Sequence, residues 1–135
     1  MPYKFEQLEV WKLALDYIDL IYKLSENLPR SEDYNLKSQI TRAATSIALN
    51  IAEGSQGQSD AEQARFLGMS IRSLIETVAC QKIISRRGYL RDETMLNKAY
   101  QDSQTLARKL QSFRKSISSS YLVKEDSPLY TESDL

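Results

Sequence analysis

The stretch Asn50–Glu62, NIAEGSQGQSDAE, places two glycines three residues apart in a serine-rich segment between apolar runs. A phosphate-cradling loop would need a preceding strand, GxxxxGK[ST] spacing and a lysine; this segment has none of them. What precedes it, LKSQITRAATSIALNIAEG, has helical periodicity, and Gly54 suits the left-handed position just past a helix end. Ser59 and Glu62 then form an S-x-x-E capping box for the next helix. The stretch reads as a turn between two helices, so the fold is all-α if the periodicity continues on both sides.

It does continue. The helix before the turn is expected to open near Asp33 and run to Gly54. Its Gln39, Arg42, Ser46, Asn50 and Glu53 fall in an arc of about 80° at about 100° per residue. Leu36, Ile40, Ala43, Ala44, Ile47, Ala48 and Ile51 cover much of the rest, and the alanines permit close helix approach. The helix after the turn is expected from about Asp60 to Arg87, with Ala64, Leu67, Ile71, Leu74, Ile75 and Val78 in the core and Gly88 as its stop. A first helix from about Phe5 to Leu28, ended by Pro29, carries two apolar stripes. Val10, Ala14, Tyr17, Ile21, Leu24 and Leu28 fill a core; Leu8, Trp11, Leu15, Ile18 and Tyr22 form a second stripe that points to a partner subunit. A fourth helix opens near Asp92 and repeats Leu96, Ala99, Ser103, Leu106, Leu110, Phe113 and Ile117 in heptads. Four long helices on short turns predict an antiparallel up-down-up-down four-helix bundle over residues 1–118. Residues 119–135 form an acidic, serine-containing tail that is expected to be disordered.

The composition narrows function by exclusion. The 135 residues suit one domain. There is no histidine and Cys80 is the one cysteine, which removes zinc constellations, His-dependent triads and the Glu-x-x-His sites of di-iron bundles. No metal or cofactor is expected. Cys80, among Val78, Ala79, Ile83 and Ile84, reads as a small core residue. Glu53 and Glu76 could face one another as a carboxylate pair, although ion pairing is the better use of them; the chain is read as no enzyme. No apolar run is long enough to span a membrane and no signal-peptide core is present, so a cytoplasmic protein without membrane contact is expected.

Lys plus Arg equals Asp plus Glu at 18 each, so the chain has no overall field toward nucleic acid. The charge is unevenly distributed, however. Ser59 to Lys115 holds 11 basic residues against six acidic ones. Arg65, Arg72, Lys82, Arg86, Arg87, Arg91, Lys98, Arg108 and Lys109 are the candidates for phosphate contact. Solvated helix charge is the competing reading of the same residues.

The pattern F-E-x-L-x-V-W from Phe5, R-A-A-x-S-I-x-x-N-I-A-E-G from Arg42, then R-F-L and S-x-x-E from Arg65 and Ser73, taken in that order, resembles the family of proteins encoded in intervening sequences of bacterial 23S rRNA genes. Accessory variability determinants of diversity-generating retroelements share that fold. The resemblance covers about residues 5–115 and implies a left-handed bundle assembled as a homopentameric ring. It also implies nucleic-acid contact, RNA or DNA, or service as a scaffold that docks another protein such as a polymerase. On it, Arg42, Ser46, Asn50, Glu53, Gly54 and Glu76 are motif positions expected to hold the second helix to the third. Gln56 and Gln58 stand where relatives commonly carry Arg or Lys, and Arg72 where they often carry Gly, from which an ion pair to Glu76 is possible.

Overall fold

The computed structural model describes residues 3–122. It contains α1 (Glu9–Ser25), α2 (Leu36–Gly54), α3 (Asp60–Arg87) and α4 (Thr94–Leu122), with 3-10 turns at Lys4–Gln7 and Arg30–Glu32. There is no strand among the described residues. Each helix packs on its neighbours in sequence, and α1 meets α4 to close a four-helix arrangement; the diagonal pairs do not approach at the backbone. The residues assigned to a tail begin four positions too early, because α4 continues to Leu122; residues 123–135 lie outside the described residues.

The first helix is shorter than its periodicity suggests. Leu8 is extended (ψ 134°) and separates the Lys4–Gln7 turn from α1. The Phe5 ring meets the Trp11 ring edge-on at 4.5 Å, which folds that turn back onto α1. At the other end α1 stops at Ser25, whose hydroxyl donates to the Tyr22 carbonyl at 2.8 Å, and Leu24 and Ser25 accept backbone bonds from Asn27 and Leu28. The chain then turns through Pro29 and Arg30–Glu32, so α2 starts at Leu36 rather than near Asp33.

The expected turn between α2 and α3 is present, but the left-handed position falls on the other glycine. Gly57, not Gly54, takes the left-handed conformation, with φ +83°. Gly54 is the last helical residue of α2, and a Cβ there would sit 2.8 Å from the Phe66 Cβ on α3. It is a close-approach glycine. The capping box is half made: Ser59 Oγ accepts the Glu62 amide at 3.1 Å, while the Glu62 carboxylate pairs with Arg65 instead. Gly88 caps α3 at φ +69°, as expected.

Ala43, Ala44 and Ala48 are buried along α2, and α2 against α3 is the most extensive helix pairing. Ser70 Oγ donates to the Ile47 carbonyl at 2.8 Å and Ser73 Oγ to Ser46 Oγ at 3.0 Å. On the next pair, Arg114 Nε donates to the Ala64 carbonyl at 3.0 Å, and Ser85 Oγ meets the Glu93 carboxylate at 3.2 Å. Both pairs therefore meet with residue numbers running in opposite senses.

The α1 core stripe and the α4 heptads pack as the sequence indicates, with Phe113 and Ile117 partly buried at the edge. The α3 core needs correction: Ile75 is 52% exposed and Val78 is only half-buried. Ser70, Thr77 and Gln81 are buried in their place. Thr77 Oγ1 and Gln81 Nε2 each lie 2.7 Å from Tyr17 Oη, joining α1 to α3 across the diagonal. Burial pushes the Tyr17 phenol up to about 12, offset in part by those two hydrogen bonds.

Two outcomes test this packing. Gly54→Ala should lose about 1–2 kcal/mol of stability, because overpacking against Phe66 exceeds the gain of about 1 kcal/mol that helix propensity alone would give; the sign of the change in thermal midpoint decides. The Tyr17 phenol is held neutral by the fold, so its contribution is complete below pH 10.0, its unperturbed value, and is lost as pH rises toward about 12. Urea midpoints should fall across that window by the equivalent of about 3 kcal/mol, and the fall should be smaller in Tyr17→Phe.

Candidate nucleic-acid interface

The burial pattern fixes which way α3 faces. With Ser70, Thr77, Gln81 and Ile84 in the core, its outward side centres near Arg72. On a wheel of about 100° per residue, Arg65, Arg72, Lys82 and Arg86 then occupy little more than a quarter of the circumference, an arc that also contains exposed Ile75 and Ile83. On α4 the corresponding outward arc, of similar width, carries Tyr100, Gln104, Arg108, Gln111 and Lys115. Two contacts show that these arcs adjoin. Lys82 Nζ sits 4.0 Å over the Tyr100 ring, and the Arg114 guanidinium lies over Gly68, where a Cβ would meet it at 3.1 Å. The outer α3–α4 seam is thus a basic strip, and between Asn97 and Lys115 its α4 side bears no acidic residue. Asp102, the one carboxylate of that span, points to the α1 flank, where it lines a groove with Leu13 and Asp16.

The nine candidate residues separate into three groups. Arg65, Arg72, Lys82, Arg86 and Arg108 share the seam. Arg65 is held by the Glu62 carboxylate and lies 4.6 Å over the Phe66 ring. Arg72, Arg86 and Arg108 are exposed and have no hydrogen-bond or ion-pair partner among the described residues. Arg72 does not form the spaced pair with Glu76. Lys98 and Lys109 belong elsewhere: they pair with Asp102 at 3.0 Å and with Glu9 at 3.4 Å on the flank of α4 that faces α1.

Arg87 and Arg91 sit at the end of the bundle. Arg87 Nε donates to Tyr89 Oη at 3.4 Å, and that hydroxyl donates to Glu32 at 2.5 Å. The Tyr89 hydrogen bond foremost, with Leu36 N, Asn35 and the Arg87 charge, holds the Glu32 carboxyl below its ordinary range against the effect of burial. This cluster ties the start of α2 to the α3–α4 turn, so Arg87 has a structural use. Arg91 lines a groove of about 710 Å³ between α1 and α4, with Leu20, Lys23, Leu90, Met95 and Lys98.

The other expected sites are placed as follows. Ser46 and Asn50 do join α2 toward α3: Asn50 Nδ2 donates to Ser46 Oγ at 3.1 Å, which accepts from Ser73. Arg42 reaches only Ser38 within its own helix, and Glu53 and Glu76 are exposed. Gly54 lies opposite Phe66 and Ser46 opposite Ser73, so Glu53 and Glu76 stand more than two helical turns apart along α3. They form no carboxylate pair. Burial raises the Cys80 thiol, with Glu76 adding to the shift, as suits an inert core cysteine. Of the second α1 stripe, Leu15 and Tyr22 are exposed and Leu8, Trp11 and Ile18 are half-buried. Tyr22 Oη lies 3.3 Å from Thr45 Oγ1 on α2, so the stripe borders α2, where Leu49 is 61% exposed. Periodicity missed Leu49 because it stands alone on the polar side of α2.

The family model described as 23S rRNA-intervening sequence protein matches residues 6–112. The chain belongs to that family. A crystal structure of a protein of unknown function from the S23 ribosomal protein family, from Bacteroides thetaiotaomicron VPI-5482, is similar, with a TM-score of 0.71 and 27% identity. The match covers 78% of this chain and 98% of that one. No curated protein matches. Within this member of the family, no helix among the described residues is long and apolar enough to cross a membrane.

Proposed function

We propose that this family member is a non-enzymatic, cytoplasmic, homo-oligomeric bundle that contacts structured nucleic acid through the α3–α4 seam. The observation that carries the reading is the strip of Arg72, Lys82, Arg86 and Arg108, two helices wide and without carboxylates on its α4 side. Exposed guanidinium groups that no protein carboxylate neutralises are available to phosphate oxygens. Tyr100, Ile75 and Ile83 interrupt the charge with flat or apolar surface but supply no base-reading fork, so the contact is to backbone rather than sequence. RNA and DNA duplexes would both fit such a surface.

The assembly is proposed as an up-down-up-down, left-handed bundle that forms a homopentameric ring. Its support is the exposed apolar surface that Leu15, Tyr22 and Leu49 make across α1 and α2, with half-buried Trp11 and Ile18 beside them. A ring that covers the α1–α2 face leaves the α3–α4 seam outward. The scaffold reading, in which the ring docks another protein, is favoured by one feature, the part-apolar groove between α1 and α4.

Titration of short RNA and DNA duplexes at low and near-physiological salt tests the first proposal. Affinity should fall on a steep log–log slope with salt, and Arg72→Glu with Arg108→Glu should lower it at least tenfold and flatten the slope by about two, with an unchanged thermal midpoint. Binding that ignores this double variant would remove the seam from the proposal. For the assembly, Leu15→Lys with Leu49→Lys should leave the helicity intact and reduce the mass measured by light scattering to that of one subunit; an undiminished mass would move the interface elsewhere.

A further inference from the structure

Taking the seam as the phosphate-binding surface proposed above, we infer that residues 123–135 of this same chain, VKEDSPLYTESDL, dock on the seam and compete with nucleic acid. Two observations converge on this occupant. The first is charge: the segment carries Glu125, Asp126, Glu132 and Asp134 against Lys124, and the seam presents Arg72, Lys82, Arg86 and Arg108. Arg72, Arg86 and Arg108 have no carboxylate partner among the described residues. The groove between α1 and α4 is a poorer match, because Asp16, Asp19, Asp92 and Asp102 stand along it with Lys23, Arg91 and Lys98.

The second is reach. Residue numbers run in opposite senses in α3 and α4, and the Ala64–Arg114 and Ser85–Glu93 contacts set Arg72 near the level of Leu106 and Lys82 near that of Leu96. An extended residue advances more than twice as far as a helical one. Thirteen residues laid back along α4 from Leu122 therefore cover about as much rise as the whole helix, and every seam cation from Arg108 to Lys82 lies within their span.

An acidic segment laid over these guanidinium groups occupies the positions that phosphates would take, and lowers apparent affinity by the fraction of molecules in which the seam is covered.

The experiment uses the full chain throughout. A nitroxide attached at Thr131→Cys, selective because Cys80 is buried, should broaden the backbone amide signals of Arg72, Ile75, Tyr100 and Arg108. Arg72→Glu with Arg108→Glu should abolish the broadening. Separately, neutralising the segment (Glu125→Gln, Asp126→Asn, Glu132→Gln, Asp134→Asn) should raise affinity for a short fluorescein-labelled RNA duplex roughly tenfold at low salt, and the gain should fade as salt screens both contacts. Broadening confined to Leu20, Met95 and the α1–α4 groove, or none anywhere, overturns the docking. Broadening on the seam with no change in duplex affinity overturns the competition. Broadening on the seam in a chain that binds neither RNA nor DNA duplex with or without the four substitutions leaves the docking standing and removes the nucleic-acid reading instead.

Discussion

The closeness of α2 to α3 governs the rest of the molecule. At Gly54 the α2 backbone approaches Phe66 so nearly that no Cβ fits. Helices that come this close can exchange hydrogen bonds between short side chains and backbone, which serine alone among the polar residues here is small enough to do. Ser70 reaches the Ile47 carbonyl and Ser73 reaches Ser46. Those bonds fix the rotation of α3 as well as its distance from α2. That rotation decides which arginines look outward, so a packing constraint on one side of α3 sets the electrostatics of the other.

The core carries a second constraint of a different kind. Helices α1 and α3 are diagonal and do not touch at the backbone, yet the Tyr17 side chain crosses to Thr77 and Gln81. A buried hydroxyl and a buried amide are costly without partners, and their mutual satisfaction ties the two helices into one axial and rotational register. The satisfaction is incomplete, because Gln81 Oε1 is buried without a hydrogen-bond partner among the described residues. A wholly apolar layer of the same shape would avoid that cost but would let α1 slide on α3. The polar layer is therefore better understood as a specifier of alignment than as a source of stability.

Both constraints explain how far the sequence could be read. The number, order and approximate length of the helices were legible, because long apolar periodicity, Ser59 and Gly88 are local signals. The orientation of α3 was not. Apolar positions alone, Ala64 through Val78, centre the core well to one side of where the structure places it, since Ser70, Thr77 and Gln81 look like surface residues until their tertiary partners are known. From sequence Gly54 reads as the left-handed position that Gly57 takes, because a glycine kept for close approach and one kept for positive φ are identical in sequence. Lys98 and Lys109 stand apart from the seam because their carboxylate partners, Asp102 one turn along α4 and Glu9 on α1, lie on the flank that faces α1. The second α1 stripe is legible because a second apolar stripe on one helix is itself a local signal, although only its Leu15 and Tyr22 are exposed.

The neutrality of the chain is consistent with the seam. Exposed charges separated by more than about 8–10 Å are largely screened at physiological ionic strength. The α1 carboxylates Glu9, Asp16 and Asp19 lie on a helix diagonal to α3, across a bundle whose adjacent axes are themselves about 8–10 Å apart. Their field is therefore weak at Arg72 and Arg86, and a phosphate on the seam would meet the local guanidinium groups and exposed Glu76, one turn from Arg72, rather than the sum of 18 positive and 18 negative charges. What neutrality does remove is long-range steering, which depends on the net field beyond the Debye length. On the proposed reading, a surface of this kind would hold a polyanion only at contact, and its occupancy would be open to any acidic segment of high effective concentration, such as residues 123–135 of this chain.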